Sequence, residues 1–333
     1  MMTPKGIRGW RMLVVVAMAF VAVGIAGMAG AQAPPKVLKL GHVFPITDYL
    51  AKSAQLFADT LEKKSGGALK VEVYPAGQLG GDRAILEGVT IGSVDIHVVG
   101  AGALNLYDPL GQIFLVPYMI RDRQHADKVW DGPIGAEIAD KIAAKTGLRI
   151  VAFWDRGARN LTTVKKPVYK MADLKGLKIR VPENPISIAA WKAFGAIPTP
   201  MAFPEVFTAL QTGIIDAQEN PLTLIYSAGF HKVAKYLVMT EHLVAEDAIV
   251  VFKDSFYQGL PPAQKRAIQE AAAEAKAFAR RALAEDERAA FAELRKAMTV
   301  IQPEKEEFRK AVAGIIPQFP HLVDLYQRIV AVK

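Results

Sequence analysis

The chain has 333 residues, of which 51% are hydrophobic and 22% are charged, which is typical of a folded protein with about two domains. It contains no cysteine, and this excludes a disulfide-stapled scaffold, a thiol nucleophile and a lipid-bearing cysteine. The formal charge of +8 is spread along the chain and accompanies no nucleic-acid-binding motif, so nucleic acid is not expected as a partner.

The first 31 residues have the layout of a cleavable signal peptide. They combine an apolar run, residues 12–28, with small residues after it and with three basic residues before it, Lys5, Arg8 and Arg11. Cleavage at the earlier of two A-x-A sites avoids a proline at the new N-terminus, so Gln32 is the expected first residue. The alternative is an uncleaved membrane anchor, although 17 apolar residues are few for a span of about 20.

The chain then alternates strand-like and helical patterns. Strands are predicted at residues 37–44, 69–75 and 94–100, and amphipathic helices at residues 49–67 and 82–92. This β-α-β-α-β order predicts a mainly parallel sheet covered by helices.

A similar alternation follows Pro117. Strands are predicted at residues 148–154, 177–182, 214–220 and 248–253, and helices at residues 186–196 and 204–213. A long helix is predicted from Pro261 to about Met298, and at about 1.5 Å per residue it would reach across two domains. Its other interpretation is a solvated helix that covers one surface. Two α/β halves in an exported chain favour a hinged binding protein.

Arg180 ends a strand-like run, directly before Pro182 and a new helix. Open α/β sheets bind ligands at the carboxyl ends of their strands. Asn184 is a natural N-cap for the helix, whose free N–H groups also favour an anion. Since an arginine can hold a carboxylate through two hydrogen bonds, Arg180 is a candidate anion-binding residue. The alternative is a surface or salt-bridging arginine.

Two other predicted strand ends carry suitable side chains. Arg159 follows a strand and Gly157, which lets the backbone turn close to a ligand. Asn220, before Pro221, can donate to and accept from hydroxyl or carboxylate oxygens, or it can cap the next helix. Two arginines and one amide at three strand ends suggest a single anion pocket.

Four stretches carry a family signature: YPAGQLGGDR, GARNLTT, GLKIRVPEN and GAIPTPMAFPEVFTALQTGIIDAQENPL. They resemble the solute-binding proteins of tripartite ATP-independent periplasmic (TRAP) transporters, the DctP family, and the likeness covers nearly all of the chain after the signal peptide. In that family the arginine of the RVP strand forms the principal ion pair with the substrate carboxylate. The resemblance implies this role for Arg180, and it implies ligand contacts for Arg159 and Asn220.

The resemblance also implies an α/β, two-lobed periplasmic binding protein fold with hinge strands and a long helix spanning both lobes. Lobe I is expected to hold residues 34–157 and 246–285, and lobe II residues 158–245 and 286–333. The implied function is an extracytoplasmic receptor in the periplasm, not an enzyme, that delivers a small organic acid to the large and small membrane subunits of a TRAP permease. A monomer is expected, although some family members dimerise through the long helix.

Departures from the family pattern bear on the ligand. Asp82 matches an acidic position that lies at the pocket in sialic-acid-type members. Gly100, however, stands where those members carry a second acid, and Glu183 replaces a small polar residue. These differences argue against sialic acid. They leave open whether the ligand is a hydroxylated acid, such as a sugar acid, or an aromatic or branched oxo acid.

Several further residues are candidates for the ligand-binding site. His42, at the end of the first strand, and Phe203 are expected to form pocket walls, although His42 could equally be a structural histidine. Asn184, the expected N-cap beside Arg180, is also a candidate. Asp247 and His242 lie near a predicted hinge crossing.

Other classes of function lack sequence support. A dinucleotide fingerprint fails because Asn105 stands where the third glycine would fall, so no cofactor is expected. The six histidines show no close metal-ligand spacing, so no metal is expected either. The competing hypothesis is an exported α/β enzyme acting on a carboxylate substrate, but no positioned base and nucleophile can be identified. A structural or interaction protein is the third possibility.

Overall fold

The computed structural model describes residues 34–333 of the chain. The expected signal peptide, residues 1–31, lies outside the described residues. In the described part of the chain, no helix is both long enough and apolar enough to cross a membrane. Residues Val37–Lys333 form one compact unit with two β-sheets and helices packed around them.

The strands fall largely where the hydrophobic alternation predicts them. They are β1 (Lys36–Gly41), β2 (Leu69–Tyr74), β3 (Ile96–Gly100), β4 (Leu148–Arg156), β5 (Arg159–Thr163), β6 (Lys178–Val181), β7 (Ile197–Pro200), β8 (Ala217–Pro221), β9 (Tyr236–Leu243), β10 (Glu246–Lys253) and β11 (Thr299–Ile301). Strands β5, β7, β9 and β11 were not anticipated from the sequence.

The α-helices include every predicted one. They are α1 (Tyr49–Lys64), α2 (Asp82–Ile91), α3 (Arg123–Trp130), α4 (Pro133–Thr146), α5 (Pro185–Ala193), α6 (Val206–Thr212), α7 (Leu222–Ser227), α8 (Asp254–Gln258), α9 (Pro262–Ala297), α10 (Lys305–Val312) and α11 (Val323–Ala331). Short 3-10 turns join several of them, including Ala101–Leu106 and Pro109–Leu115 after β3.

Both sheets are mixed. The first has the strand order β2-β1-β3-β10-β4, in which β1 and β3 are parallel while β10 is antiparallel to β3 and β4. The second has the order β11-β9-β5-β8-β6-β7, in which β6 is parallel to both neighbours while β5 is antiparallel to both of its own. The parallel pairing expected of the first β-α-β-α-β run is present between β1 and β3. Each sheet as a whole is mixed, because β5 and β10 enter their sheets directly from the other sheet, without a crossover helix.

Two short connections carry the chain between the sheets. Gly157 and Ala158 join β4 to β5, and Val244 and Ala245 join β9 to β10. The two crossings lie side by side because β4 pairs with β10 and β5 pairs with β9. They have the position expected of hinge strands. The residue limits assigned above to the two lobes stay a prediction.

The long helix α9 packs along both sheets. Its first half buries a row of alanines against the first sheet and α1, at Ala267, Ala271, Ala275 and Ala279. This four-residue spacing keeps the small side chains on one face, so the helix can approach its neighbours closely. Near its end, Leu294 joins the apolar cluster beside the second sheet. The helix therefore spans both halves, as the sequence predicts.

Candidate ligand-binding site

A cavity opens between the two sheets, at the ends of strands from both. Five of the predicted ligand-binding residues line it: Asp82, Arg159, Arg180, Phe203 and Asn220. The other three, His42, Asn184 and Asp247, are not among the lining residues. The charged side chains at the wall are Asp82, Arg83, Arg156, Arg159, Arg180, Glu183 and Glu246.

Arg180 is buried yet lacks an anionic partner in the described part of the chain. Its side chain leaves β6, which is held between β7 and β8, and the residue is only 5% exposed. Nε and Nη2 donate to the carbonyl oxygen of Met201 at 2.9 and 2.7 Å. Among the described residues no carboxylate forms an ion pair with it, and Nη1 makes no hydrogen bond. Burial accordingly lowers the pKa of Arg180 to about 10, although the charge of Glu219 partly opposes this.

Arg159, by contrast, is held tightly by protein carboxylates. It is 3% exposed, and its Nε and Nη2 donate to the two carboxylate oxygens of Glu219 at 2.5 and 2.8 Å. Its Nη1 donates to Glu246 at 2.9 Å. Although burial disfavours the charged guanidinium, the two glutamates raise the pKa of Arg159 above its usual value. Nη2 also donates to the carbonyl oxygen of Glu219 at 2.8 Å, so among the described residues' contacts only one Nη1 hydrogen of Arg159 is left for the cavity. The contact between Arg159 and the ligand stays a prediction.

Glu219 also lies within reach of His242. The imidazole Nε2 is 2.9 Å from Glu219 Oε2, and Nδ1 is 2.9 Å from the hydroxyl of Thr240. Burial alone would raise the pKa of Glu219, but Arg159 and His242 lower it to about 2. His242, which the sequence placed near the hinge, therefore supports this ion pair from behind the cavity.

Arg156 is a wall residue that the sequence analysis missed. It ends β4 opposite Glu246 on β10, and its Nη1 donates to Glu246 Oε1 at 2.8 Å. The space it occupies lies beside Gly100, where a Cβ atom would come within 2.5 Å of Arg156 Nη1. The space that Gly100 leaves open is thus filled by a guanidinium. The only signal in the sequence was a second arginine close to Arg159, in WDRGAR.

Asn220 and Phe203 lie where the sequence placed them. Asn220 is buried at the end of β8, where its Nδ2 donates to Gln218 Oε1 at 2.6 Å. It does not cap the next helix, because the N-cap position of α7 is Pro221. Phe203 is half-buried at the wall, with its ring edge-on to Phe230 at 6.0 Å.

Asp82 and His42 belong to one polar cluster at the end of the first sheet. Asp82 is the first residue of α2, and its Oδ1 lies 3.4 Å from Nε2 of His97. His42 is fully buried and stacks on Phe44 at 5.7 Å, so it lies behind the wall and not on it. Burial, reinforced by the neighbouring His97, lowers the pKa of His42 to about 4.

Asn184 and Asp247 serve contacts away from the cavity. Asn184 caps α5, accepting from the Ile186 N–H at 3.0 Å, and its Nδ2 donates to the Gly102 carbonyl at 3.1 Å. Asp247 lies behind the hinge, paired with Arg123 at 3.1 Å. Burial, together with Asp155, raises the pKa of Asp247 to about 7 despite that arginine. The structure therefore does not bring these two candidates to the cavity wall.

The chain matches the family model described as bacterial extracellular solute-binding protein, family 7, over residues 40–320. It is 37% identical to the 2,3-diketo-L-gulonate-binding periplasmic protein YiaO of Escherichia coli over 264 residues, covering 79% of this chain and 80% of that protein. It is 38% identical to the sialic acid-binding periplasmic protein SiaP of Vibrio cholerae over 234 residues, covering 70% and 72%.

The chain is also similar to solved structures of solute-binding proteins. A TRAP periplasmic solute-binding protein from Polaromonas sp. JS666, bound to D-erythronate, is 36% identical with a TM-score of 0.85, covering 90% of this chain and 99% of that one. One from Xanthobacter autotrophicus Py2, bound to β-D-galacturonate, is 31% identical with a TM-score of 0.84, covering 89% and 100%. The expected two-lobed α/β fold and the resemblance to the DctP family are confirmed.

Proposed function

The chain belongs to family 7 of the bacterial extracellular solute-binding proteins, and from that premise we propose that it is the receptor for a small hydroxylated organic acid, bound as its carboxylate. The observation that carries the proposal is Arg180, a guanidinium that is buried at the cavity wall without an ion-pair partner among the described residues. A buried charge without a partner is unfavourable, and a carboxylate on Nη1 would relieve the cost.

The balance of charge in the network favours an acid with a single carboxylate. Two glutamates, Glu219 and Glu246, stand against three arginines, Arg156, Arg159 and Arg180. Arg83 is paired with Glu183 at 3.1 Å, so that pair adds no net charge. The network of arginines and glutamates therefore keeps one positive charge, and a monocarboxylate would neutralise it. A second carboxylate would add an uncompensated negative charge in a largely buried place.

Polar groups around the rest of the cavity favour hydroxyls on the ligand. Asp82 Oδ1 is buried and has no hydrogen-bond partner among the described residues, so it can accept from a ligand hydroxyl. A carboxylate oxygen can accept more than one hydrogen bond, and an oxo or aromatic acid offers no donor to it. Similar proteins named as bound to D-erythronate and β-D-galacturonate carry ligands of this hydroxylated kind.

Binding would favour closure of the two lobes about the paired crossings. An acid held at Arg180 on the second sheet and at Asp82 near the first contacts both halves at once, so it stabilises the closed arrangement over the open one. The closed receptor would then deliver the acid to the membrane subunits of a TRAP permease, after export of the chain to the periplasm. The lobe limits we propose are residues 34–157 with 246–285, and residues 158–245 with 286–333.

A thermal-shift screen of the protein from residue 32 onward tests this function. The panel would hold aldonates, uronates, simple hydroxy acids, oxo acids and aromatic acids, with the neutral sugar alcohol of each hydroxylated acid as its control. We expect a rise in melting temperature with one hydroxylated monocarboxylate series and none with its alcohols. Protein that has been unfolded, stripped and refolded, yet responds to no acid, would contradict the proposal. Recovering the bound acid chemically unchanged after long incubation would separate a receptor from an enzyme.

A further inference from the structure

The polar cluster of Asp82, His97 and His42 needs one more hydrogen-bond donor than a neutral His97 supplies. His97 lies on β3 and is fully buried, and its Nδ1 is 2.8 Å from the carbonyl oxygen of Gly41. A carbonyl can only accept, so Nδ1 carries a hydrogen. If the imidazole were neutral, Nε2 would present a lone pair to Asp82 Oδ1, which is 3.4 Å away and also an acceptor.

No described residue supplies the missing donor. His97 Nε2, Asp82 Oδ1 and both ring nitrogens of His42 are buried without a hydrogen-bond partner in the described part of the chain. Across the sheet, β10 places Val251 opposite His97, and a valine neither donates nor accepts. Two acceptors that face each other in a buried place repel, whereas an imidazolium beside a carboxylate attracts it.

We propose that His97 is a positioning residue that carries a second proton, so that it neutralises Asp82 and leaves the cavity with the one positive charge needed by a carboxylate ligand. This rests on the proposed function. Without that proton, the negative charge of Asp82 would cancel the excess positive charge left by the arginines and glutamates. The attraction of the cavity for an anion would then be weaker, because Asp82 would oppose the field of Arg180.

The charged and titratable groups that face His97 and Asp82 come from several elements. His42 follows β1, and its low pKa keeps it neutral near pH 7, so it does not compete for the proton. Arg180 acts on Asp82 from the second sheet. Arg83, the neighbour of Asp82 on α2, is already paired with Glu183. The fixed negative charge nearest to the imidazole is thus Asp82 itself.

The proton and the ligand should favour each other. Neutralising Asp82 strengthens binding of a carboxylate, and by linkage a bound carboxylate stabilises the imidazolium. Affinity for the acid should therefore fall, by at least about fivefold, as the pH rises from about 6 to about 8.5 through the range in which histidines lose their proton. Binding near pH 7 should also take up protons from the buffer.

The protonation state can be measured without any ligand. In ¹⁵N-labelled protein with through-bond assignment of the histidine rings, we expect both nitrogens of His97 to carry hydrogen at about pH 7, and the second hydrogen to be lost in Asp82→Asn. A His97 ring with a bare Nε2 in the wild-type protein would overturn the proposal. This result does not depend on whether any acid binds.

The linkage to ligand is tested with D-erythronate and D-galacturonate as probes. We expect the pH slope of affinity to be lost in His97→Gln and kept in His321→Gln, the same substitution at a histidine that lies beside Gln112 and is not among the residues that line the cavity. A slope unchanged by His97→Gln would overturn the assigned role. If neither probe nor any other acid binds, the proposed function fails, while the ring measurement still decides the protonation of His97.

Discussion

Gly100 lies directly against Arg156. A Cβ atom at position 100 would be 2.5 Å from Arg156 Nη1 and 3.4 Å from Glu246 Oε1. Since real Cβ atoms do not come so close to another heavy atom, the guanidinium would have to leave its place and its hydrogen bond to Glu246. The absence of a side chain at Gly100 thus leaves room for the guanidinium of Arg156 at the cavity wall.

Gly100→Ala should therefore destabilise the protein by about 1–3 kcal/mol and weaken binding of the acid. Chemical denaturation and titration of the same preparation measure the two effects. Gly314→Ala is the matched control, because Gly314 has no atom within 4 Å of the added methyl and no positive φ. Wild-type stability and affinity in Gly100→Ala would show that Arg156 can move freely.

Glu219→Gln should be strongly destabilising. The substitution leaves the Arg159 guanidinium in a buried place with one of its two carboxylate partners gone, which typically costs about 3–5 kcal/mol. Glu293→Gln is the control, since Glu293 forms an exposed pair with Lys296 within one helix. Equal unfolding midpoints for the two variants would mean that the buried pair contributes no more than a surface pair.

Acid should unfold the protein partly through His42. Its pKa is lowered in the folded state to about 4 from the usual 6.5, so the unfolded chain binds the proton more readily. The stability that a neutral, buried His42 contributes is fully present above about pH 6.5 and is lost as the pH falls toward 4. His42→Phe, which removes the titrating ring, should raise the free energy of unfolding at about pH 5 relative to wild type by about 1–2 kcal/mol. An identical pH dependence in both proteins would show that His42 already titrates normally when folded.

Asn184→Ala should lower stability by about 1–2 kcal/mol, because it removes the N-cap of α5 and the hydrogen bond to Gly102. Asn184→Asp keeps a capping oxygen and loses only the amide donor, so it should recover part of that loss. Urea unfolding curves of wild type and the two variants give the order of their stabilities. If Asn184→Asp were no more stable than Asn184→Ala, the cap would not be the source of the effect.

The sequence predicted most elements, because apolar periodicity and Gly or Pro boundaries are local properties. It also placed Arg180, since the proline two residues later marks the strand end. It could not predict which arginines pair with protein carboxylates and which one is left for the ligand. That pairing depends on the register of β5 with β8 and of β4 with β10, which sets Glu219 beside Arg159 and Glu246 opposite Arg156.

Non-local geometry also explains the other differences. His42 and Asp82 are 40 positions apart, and only the packing of α2 on the first sheet decides that Asp82 reaches the cavity while His42 stays behind Phe44. The mixed sheets arise from direct crossings between sheets, which a list of strands in chain order does not reveal. Asn184 was read correctly as a cap, and its position next to Arg180 did not make it a wall residue.

The measurement that tests the central claim most directly is the affinity of Arg180→Ala for the acid identified in the screen, beside Arg180→Lys and the exposed control Arg281→Ala. Loss of a charge-assisted pair in a closed cavity should weaken binding by more than about a hundredfold in Arg180→Ala. Arg180→Lys should bind poorly too, because the single nitrogen of an ammonium cannot reproduce the spaced Nε, Nη1 and Nη2 donors that contact Met201 and face the carboxylate. A loss of less than about threefold in a folded Arg180→Ala, equal to that of the control, would contradict Arg180 as the anchor of the ligand.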